Sequence, residues 1–437
     1  MEPTLAGIVG IVAMLALFTT RMPVAYVMTL VGFAGFALLI SPQGALSMLS
    51  RTYYDTFSSY ALSTIPLFIL MGQLAFNSGI SKRLYECAYQ FLGHIRGGLA
   101  MATVAACTAF GAVCGSSPAT AATMAMVAIP EMKRYGYADS LAAGSVAAGG
   151  SMGMIMPPSV VLIIYGVLTG QSIGALFVAG ILPAIVLTLL FIVAIAIQCR
   201  LRPNLGRGGE RGATAARLRS LLGLADTLAI FLLVIGGMFF GLFTPTEAAS
   251  IGVLGIIALS LLKRQLSWKA FADSLYETLR TSAMVLFLVA GASVFGKFLA
   301  VTRIPFDVAG WVAAMDLPNV LIMALILGIY MIGGCFMDAL ALVMLTIPVF
   351  YPVVQHLGYD PIWFGVIIVL VTQIGVITPP VGINAYVVYG MCQKIAPTVT
   401  LEAVFKGITP FLLAIIAGIA LMMLFPQIVL LLPGLMY

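Results

Sequence analysis

Gly153-Met-Ile-Met-Pro157-Pro158 and Gly375-Val-Ile-Thr-Pro379-Pro380 are two copies of one element, a glycine followed four residues later by a proline pair, set 222 residues apart. Shifting the chain by 222 residues lays Gly111–Pro158 on Gly333–Pro380 without a gap, with ten identities in 48 positions. That number is modest for an apolar chain, but six of the ten are Gly or Pro, which decide where a backbone breaks. A helical proline offers no N–H to the carbonyl four residues back. The pairs are therefore expected to free the carbonyls of Gly153 and Met154 in one copy, and of Gly375 and Val376 in the other.

The solvent around these breaks is lipid. The 437 residues are 62% hydrophobic and 8% charged, with a mean hydropathy of +1.13. No soluble core hides so much apolar surface. Apolar stretches of spanning character run over 5–18, 24–40, 60–76, 173–197, 224–243, 248–262, 282–299 and 404–425. The first carries Glu2 and lacks a basic leader, so it reads as an uncleaved helix rather than a signal peptide. The formal charge of +6 is sparse and sits at helix ends, which argues for membrane topology and against nucleic acid. Six cysteines without a C-x-x-C pair and two isolated histidines argue against a disulfide, zinc or metal-enzyme framework.

Orientation follows from the basic residues. The polar segment 200–220 carries Arg200, Arg202, Arg207, Arg211, Arg217 and Arg219 against the single acid Glu210, and belongs on the cytoplasmic side. Counting spans outwards places 17 of the 21 basic residues there, with Arg51 and Arg303 outside and Lys297 and Lys406 in or near spans. This needs an outside N-terminus, roughly ten full spans, and two hairpins that enter and leave on one face, 99–130 from inside and 319–351 from outside. The two repeat copies then run in opposite orientations. The expected fold is all-α and polytopic, with two re-entrant hairpins and two broken helices. Inverted repeats with matching broken helices point to the binding site of a secondary transporter.

Unpaired carbonyls are tolerated in hydrocarbon only when something engages them, and a small hard cation does so. Ordinary proline kinks satisfied by neighbouring helices are the other reading. Thr378 adds a hydroxyl to the second copy. The first hairpin tip, 111–120, combines small residues with Ser116, Ser117 and Thr120. The second, 333–338, ends on Asp338, which falls opposite Ser116; a lone intramembrane carboxylate is a functional candidate, although it also suits a helix cap. Arg303, before Pro305, is the candidate positive group for an anion on the outer approach, or an interfacial snorkelling residue. Glu247, in the first turn of a span, reads as a cap, with a substrate or ion role as the alternative. Segments 81–95 and 268–281 are amphipathic and suit arms lying in the inner interface.

At these residues the chain resembles the large membrane subunit, DctM type, of the tripartite ATP-independent periplasmic (TRAP) transporters. The resemblance rests on Gly-Ser-Ser-Pro-Ala-Thr-Ala-Ala-Thr (115–123), Gly-Tyr (136–137), Gly-Met-Ile-Met-Pro-Pro-Ser (153–159), Gly-Leu-Phe-Thr-Pro-Thr-Glu-Ala-Ala (241–249) and Ile-Thr-Pro-Pro-Val-Gly-Ile-Asn (377–384), in order along essentially the whole chain. It implies an elevator-type, sodium-driven importer of organic acids in the bacterial inner membrane, with no cofactor. Its implied partners are a small membrane subunit and an extracytoplasmic substrate-binding protein. By the same resemblance one sodium sits among Cys114, Gly153, Met156 and Pro157, and a second among Gly334, Gly375, Thr378 and Val381 with Asp338 close by. Cys114 stands where the family usually has serine, which matters only if that side chain rather than its carbonyl is a ligand. Arg303, Ser116, Ser117 and Asn384 are the substrate candidates.

The expected division is 1–98 scaffold helices and first arm, 99–200 first transport half, 201–221 basic loop, 222–318 scaffold and second arm, 319–392 second transport half, and 393–437 C-terminal helix. An autonomous cation-coupled carboxylate carrier is the alternative function. An intramembrane enzyme is disfavoured, because Cys114, Ser116 and Ser117 have no neighbouring base in sequence and Asp338 has no evident acidic partner. A passive channel fits two inverted broken-helix sites less well than alternating access does.

Overall fold

Apolar runs rich in Ala, Leu and Gly, started by Ser, Thr or Asp and stopped by Gly or Pro, fold here as helix after helix. The computed structural model describes residues 2–20, 22–208, 214–313 and 317–436, and every α or 3-10 segment within them is helical, with no strand among the described residues. Arg21, Glu210 and Arg211 of the charge count lie outside them.

The chain opens with α1 (Pro3–Phe18), α2 (Val24–Leu39), α3 (Pro42–Phe57), α4 (Thr64–Asn77) and α5 (Ile80–Leu92). The first hairpin is α6 (Gly98–Cys114) and α7 (Ser117–Arg134), followed by α8 (Asp139–Gly150), α9 (Val160–Thr169) and α10 (Ile173–Leu201). Next come α11 (Thr214–Phe239), α12 (Pro245–Leu262), α13 (Trp268–Thr302) and α14 (Ile304–Ala313). The second hairpin is α15 (Asn319–Gly334) and α16 (Ala339–His356), followed by α17 (Pro361–Ile377), α18 (Ile383–Ile395), α19 (Leu401–Leu424) and α20 (Gln427–Leu430). Both hairpins and both broken helices stand where the repeat places them.

Three features differ from the sequence reading. Residues 42–57, assigned to no element, form α3, started by the Ser41 hydroxyl accepting from the Gly44 amide. The second arm is not separate: 268–281 is the first part of the 35-residue α13, because no Gly or Pro interrupts it before the apolar run. Finally, α11 begins at Thr214, inside the segment read as loop. Among the described residues five helices are long and apolar enough to cross a membrane, or six if the α3–α4 pair, bent by 55°, is one span. The larger sequence count includes 16- and 17-residue helices such as α1, α2 and α17. At about 1.5 Å per residue these reach about 24–26 Å, short of a hydrocarbon layer of about 30 Å.

Between helices in lipid, close packing replaces the hydrophobic drive, and small residues make it possible. In one group α13 runs along α2 and also packs on α1, α3 and α4. There a Cβ added at Gly32 would lie 2.8 Å from the Phe295 backbone. In a second group the hairpins surround α8 and α17, and α19 packs on α8, α10 and α17. The Trp363 indole N–H, buried in this group, donates to the Met422 carbonyl at 3.1 Å.

Candidate functional site

Each break lies at the centre of the second group. After α8 the chain makes a 3-10 turn over Ser151–Met154 and resumes helix only at Val160, whereas α17 stops at Ile377 and α18 starts at Ile383. Both Pro-Pro bonds are cis. Two of the four carbonyls expected to be free are engaged: Met154 O accepts the Ser159 hydroxyl, and Gly375 O accepts the Thr378 amide at 3.3 Å. The Thr378 hydroxyl donates to Ile374 O at 2.5 Å, so its lone pairs face elsewhere and can still accept.

The hairpin tips sit directly on the breaks. A Cβ added at Gly111 would lie 2.9 Å from Gly153 Cα, and one at Gly153 would lie 2.8 Å from Ser116 O. In the second copy a Cβ at Gly375 would overlap the Gly334 carbonyl group, and Val381 N donates to Cys335 O at 3.2 Å. The gapless shift pairs Gly111 with Gly333, yet Gly334 makes the packing contact, while Gly333 faces Leu342. Two helix C-termini thus meet in each copy, α6 with the end of the α8 turn and α15 with α17. Their last carbonyls carry the negative end of the helix dipole, which favours a cation. No group of three His, Cys, Asp or Glu side chains able to hold a metal occurs among the described residues, so carbonyls and hydroxyls are the ligand chemistry on offer.

Helix N-termini meet some of these C-termini around one cavity. A cavity of about 330 Å³ is lined by 114–119 of the first tip, 338–340 of the second, Met154 and Val160 of one break, and Val376 and Ile383 of the other. Neither α7, starting after Ser116, nor α18, starting after Gly382, is capped by the side chain of its N-cap residue. By contrast, Asp338 caps α16, with Oδ2 accepting from the Leu340 amide at 3.0 Å. Uncapped N-termini attract anions. Among the described residues Asp338 is the one carboxylate lining this cavity, and no Lys or Arg lines it.

A buried bond ties the two repeats together here. The Ser117 hydroxyl donates to Asn384 Oδ1 at 3.0 Å, and Asn384 Nδ2 donates to Ala147 O at 3.0 Å. Asn384 is 0% exposed, so both residues, read from sequence as substrate ligands, are already committed to each other. Asn384→Ala leaves the Ser117 hydroxyl buried without its acceptor, and is expected to remove about 1–3 kcal/mol of stability. The check is the midpoint of thermal unfolding in detergent, and an unshifted midpoint would deny the bond its role.

The remaining candidates are distributed as follows. Cys114, Ser116 and Asp338 line the cavity; Gly153, Met156 and Pro157 lie in the first break, and Gly334, Gly375, Thr378 and Val381 lie at or beside the second. A Cβ added at Gly72 of α4 would lie 2.6 Å from Cys114 O, so that carbonyl borders the first group of helices. The Cys114 thiol points to Ser116 O at 4.0 Å. Arg303 is not brought to the cavity: it is the exposed C-cap of α13, 18 residues beyond cavity-lining Val285, or about 27 Å along the helix. Glu247 closes a capping box with Thr244, whose amide it accepts at 2.8 Å. The sequence reading missed the far wall of the cavity, Gly72 and Gln73 of α4 and Thr281, Met284 and Val285 of α13. A Gly-Gln pair inside an apolar span was the available signal.

The family model described as "Tripartite ATP-independent periplasmic transporter, DctM component" matches residues 11–428. The C4-dicarboxylate TRAP transporter large permease protein DctM of Pseudomonas aeruginosa is 34% identical over 400 residues, covering 91% of each chain. The sialic acid TRAP transporter large permease protein SiaM of Vibrio cholerae is 32% identical over 423 residues, covering 96% of this chain and 97% of the relative. Among solved structures, MtrF of Neisseria gonorrhoeae, an antimetabolite efflux pump, aligns with a TM-score of 0.60 at 14% identity, over 89% of this chain and 85% of that one. The YdaH transporter of Alcanivorax borkumensis aligns with a TM-score of 0.55 at 14% identity, over 88% and 90%. These two likenesses concern the fold.

Proposed function

The chain belongs to the DctM component family of the TRAP transporters, and on that premise we propose that it is the sodium-driven subunit that carries a small organic acid across the bacterial inner membrane. It is a multi-pass large permease and not an enzyme. The observation that carries the proposal is the gathering of helix ends around one cavity: C-termini paired at each Gly-Gly contact, and the N-termini of α7 and α18, without a cap from their N-cap side chains, at its lining. Sodium ions are held at the paired C-termini, by carbonyls around Cys114, Gly153, Met156 and Pro157 in one copy and around Gly334, Gly375 and Val381, with the Thr378 hydroxyl, in the other. The substrate carboxylate lies at the N-termini beside Ser116, with Ser117 and Asn384 fixing the two helix ends. Arg303 serves the outer approach rather than the cavity.

The cavity lies between α4 and α13 on one side and the two tips on the other. This supports an elevator in which segments 99–200 and 319–392 move as a body against a scaffold of 1–98, 222–318 and their arms, with 201–221 and 393–437 as connecting loop and terminal helix. A small membrane subunit and an extracytoplasmic binding protein complete the transporter. Relatives named for C4-dicarboxylate and sialic acid support a carboxylate substrate.

Uptake into vesicles containing this chain and its small subunit, with the binding protein added outside, tests the proposal. Accumulation is expected only with an inward sodium gradient and the binding protein. Uptake without the binding protein would favour an autonomous carrier, and sodium-independent flux would remove the coupling. In this assay Thr378→Val removes one oxygen ligand and is expected to raise the sodium concentration for half-maximal uptake about tenfold, about 1.4 kcal/mol. The apparent affinity for the loaded binding protein stays unchanged. An unaltered sodium titration would take Thr378 out of the site.

A further inference from the structure

A cluster of unpaired charge lies away from the transport site, where α10 ends on the cytoplasmic side. Arg200 in its last turn, Arg202 at its C-cap, Arg207 in the loop that follows and Arg96 just before α6 are all exposed. Their side chains make no hydrogen bond or ion pair among the described residues. Backbone packing, not sequence, brings them together. A Cβ added at Gly97 would lie 2.6 Å from Cys199 Sγ, one at Gly206 would lie 3.2 Å from Gly97 Cα, and one at Gly208 would lie 2.8 Å from His94 O. The Leu205 carbonyl accepts the Ala138 amide at 3.0 Å, which ties the same loop to the turn between α7 and α8. The loop is packed down on the base of the first hairpin.

No neighbouring element supplies the countercharge. The α7–α8 turn brings Glu131, Lys133, Arg134 and Asp139, of which Lys133 and Asp139 pair with each other. Packed on the same base, α5 brings the Lys82–Glu86 pair and Arg83, and α11 brings Arg217, whose Nε donates to Gln90 O. Glu210, the single acid of 200–220, still leaves the basic residues in excess. Like charges gathered by packing repel, and a bound anion relieves that repulsion. A guanidinium fork matches phosphate oxygens, and basic clusters just cytoplasmic of a membrane helix attract anionic lipid. Beside the arginines, Ile95 and Leu201 are 41% and 76% exposed, apolar side chains that suit acyl chains rather than water. We propose that this corner binds the headgroup of an anionic phospholipid of the inner leaflet. Its phosphate is held by Arg96 and Arg207 across the packed loop, with Arg200 and Arg202 alongside. A zwitterionic headgroup would bring an ammonium into the same excess of guanidinium, and a soluble phosphate would make no use of Ile95 and Leu201.

Titrating the purified, delipidated full-length chain with phosphatidylglycerol and phosphatidylcholine, read by native mass spectrometry, tests this. Phosphatidylglycerol is expected to be retained about tenfold more strongly, about 1.4 kcal/mol. In Arg96→Gln/Arg207→Gln the preference should fall to about threefold or less. Arg264→Gln/Lys269→Gln removes the same charge elsewhere on the cytoplasmic side and should keep it. Equal retention of the two lipids by the wild-type chain, or an unchanged preference in Arg96→Gln/Arg207→Gln, overturns the site. So does an equal loss in both double variants, which would make the attraction a property of the whole basic face. Inorganic phosphate that displaces the lipid at equal concentration overturns the lipid assignment. Should Arg96→Gln/Arg207→Gln fail to fold, Arg200→Gln/Arg202→Gln carries the same expectation, and an unchanged preference there overturns the site in the same way.

Discussion

Gly375→Ala is expected to abolish sodium-driven uptake, by at least about a hundredfold or about 2.7 kcal/mol, while the protein still inserts and purifies as a folded chain. The Cβ it adds would overlap the Gly334 carbonyl group, and both sides of that contact are backbone, which cannot rotate away. The second tip must then lift from the second break, separating the two helix C-termini proposed to share a cation. Neighbouring substitutions grade the effect. Gly334→Ala places its Cβ 3.3 Å from Gly375 Cα, so a shift of a few tenths of an ångström absorbs it and a partial loss is expected. Gly390→Ala, on α18 with nothing within 4 Å, should transport as the wild type does. Uptake rates of the three, normalised to protein in the vesicles, order as Gly390→Ala, Gly334→Ala, Gly375→Ala. Full activity in Gly375→Ala would mean that the tip and break need not touch, and the shared cation site would go with that contact.

The same contact marks how far the sequence was legible. Gly153 and Gly375 stand out because glycine and proline recur at a fixed spacing, and a backbone break is a local property. The partner was harder to read: the repeat pairs Gly111 with Gly333, yet Gly334 meets Gly375. The slip arises because the tips differ, with Gly115 at positive φ in the first and Asp338 capping the next helix in the second. Ser117 and Asn384 were picked out as polar groups near breaks, but their mutual bond joins residues 267 positions apart and no local pattern encodes it. The far wall of the cavity was invisible for a related reason. Thr281, Met284 and Val285 are ordinary residues of a long helix, and only packing brings them to the tips. Helices were legible where charge and hydropathy change sharply, and one was missed at α3, whose mixed composition gives neither signal.

Asp338 carries two readings, and one pair of variants separates them. Its carboxylate caps α16 through the Leu340 amide and also lines the cavity. Asparagine caps a helix about as well as aspartate, whereas alanine loses about 1 kcal/mol. If capping were the whole role, Asp338→Asn would transport normally and Asp338→Ala would be merely less stable. If the charge balances a bound sodium, the loss is of another size. Unit charges about 4 Å apart attract by about 4 kcal/mol at an effective dielectric of about 20, which corresponds to about a thousandfold in affinity. Both variants are therefore expected to lose sodium-driven uptake alike, although only alanine weakens the helix start. A sodium titration of Asp338→Asn in vesicles decides between them. Saturation at the wild-type concentration would leave Asp338 as a cap, and the second cation would rest on carbonyls and the Thr378 hydroxyl alone. Such a site would carry its full positive charge within the membrane, where a neighbouring carboxylate is the least demanding means of neutralising it.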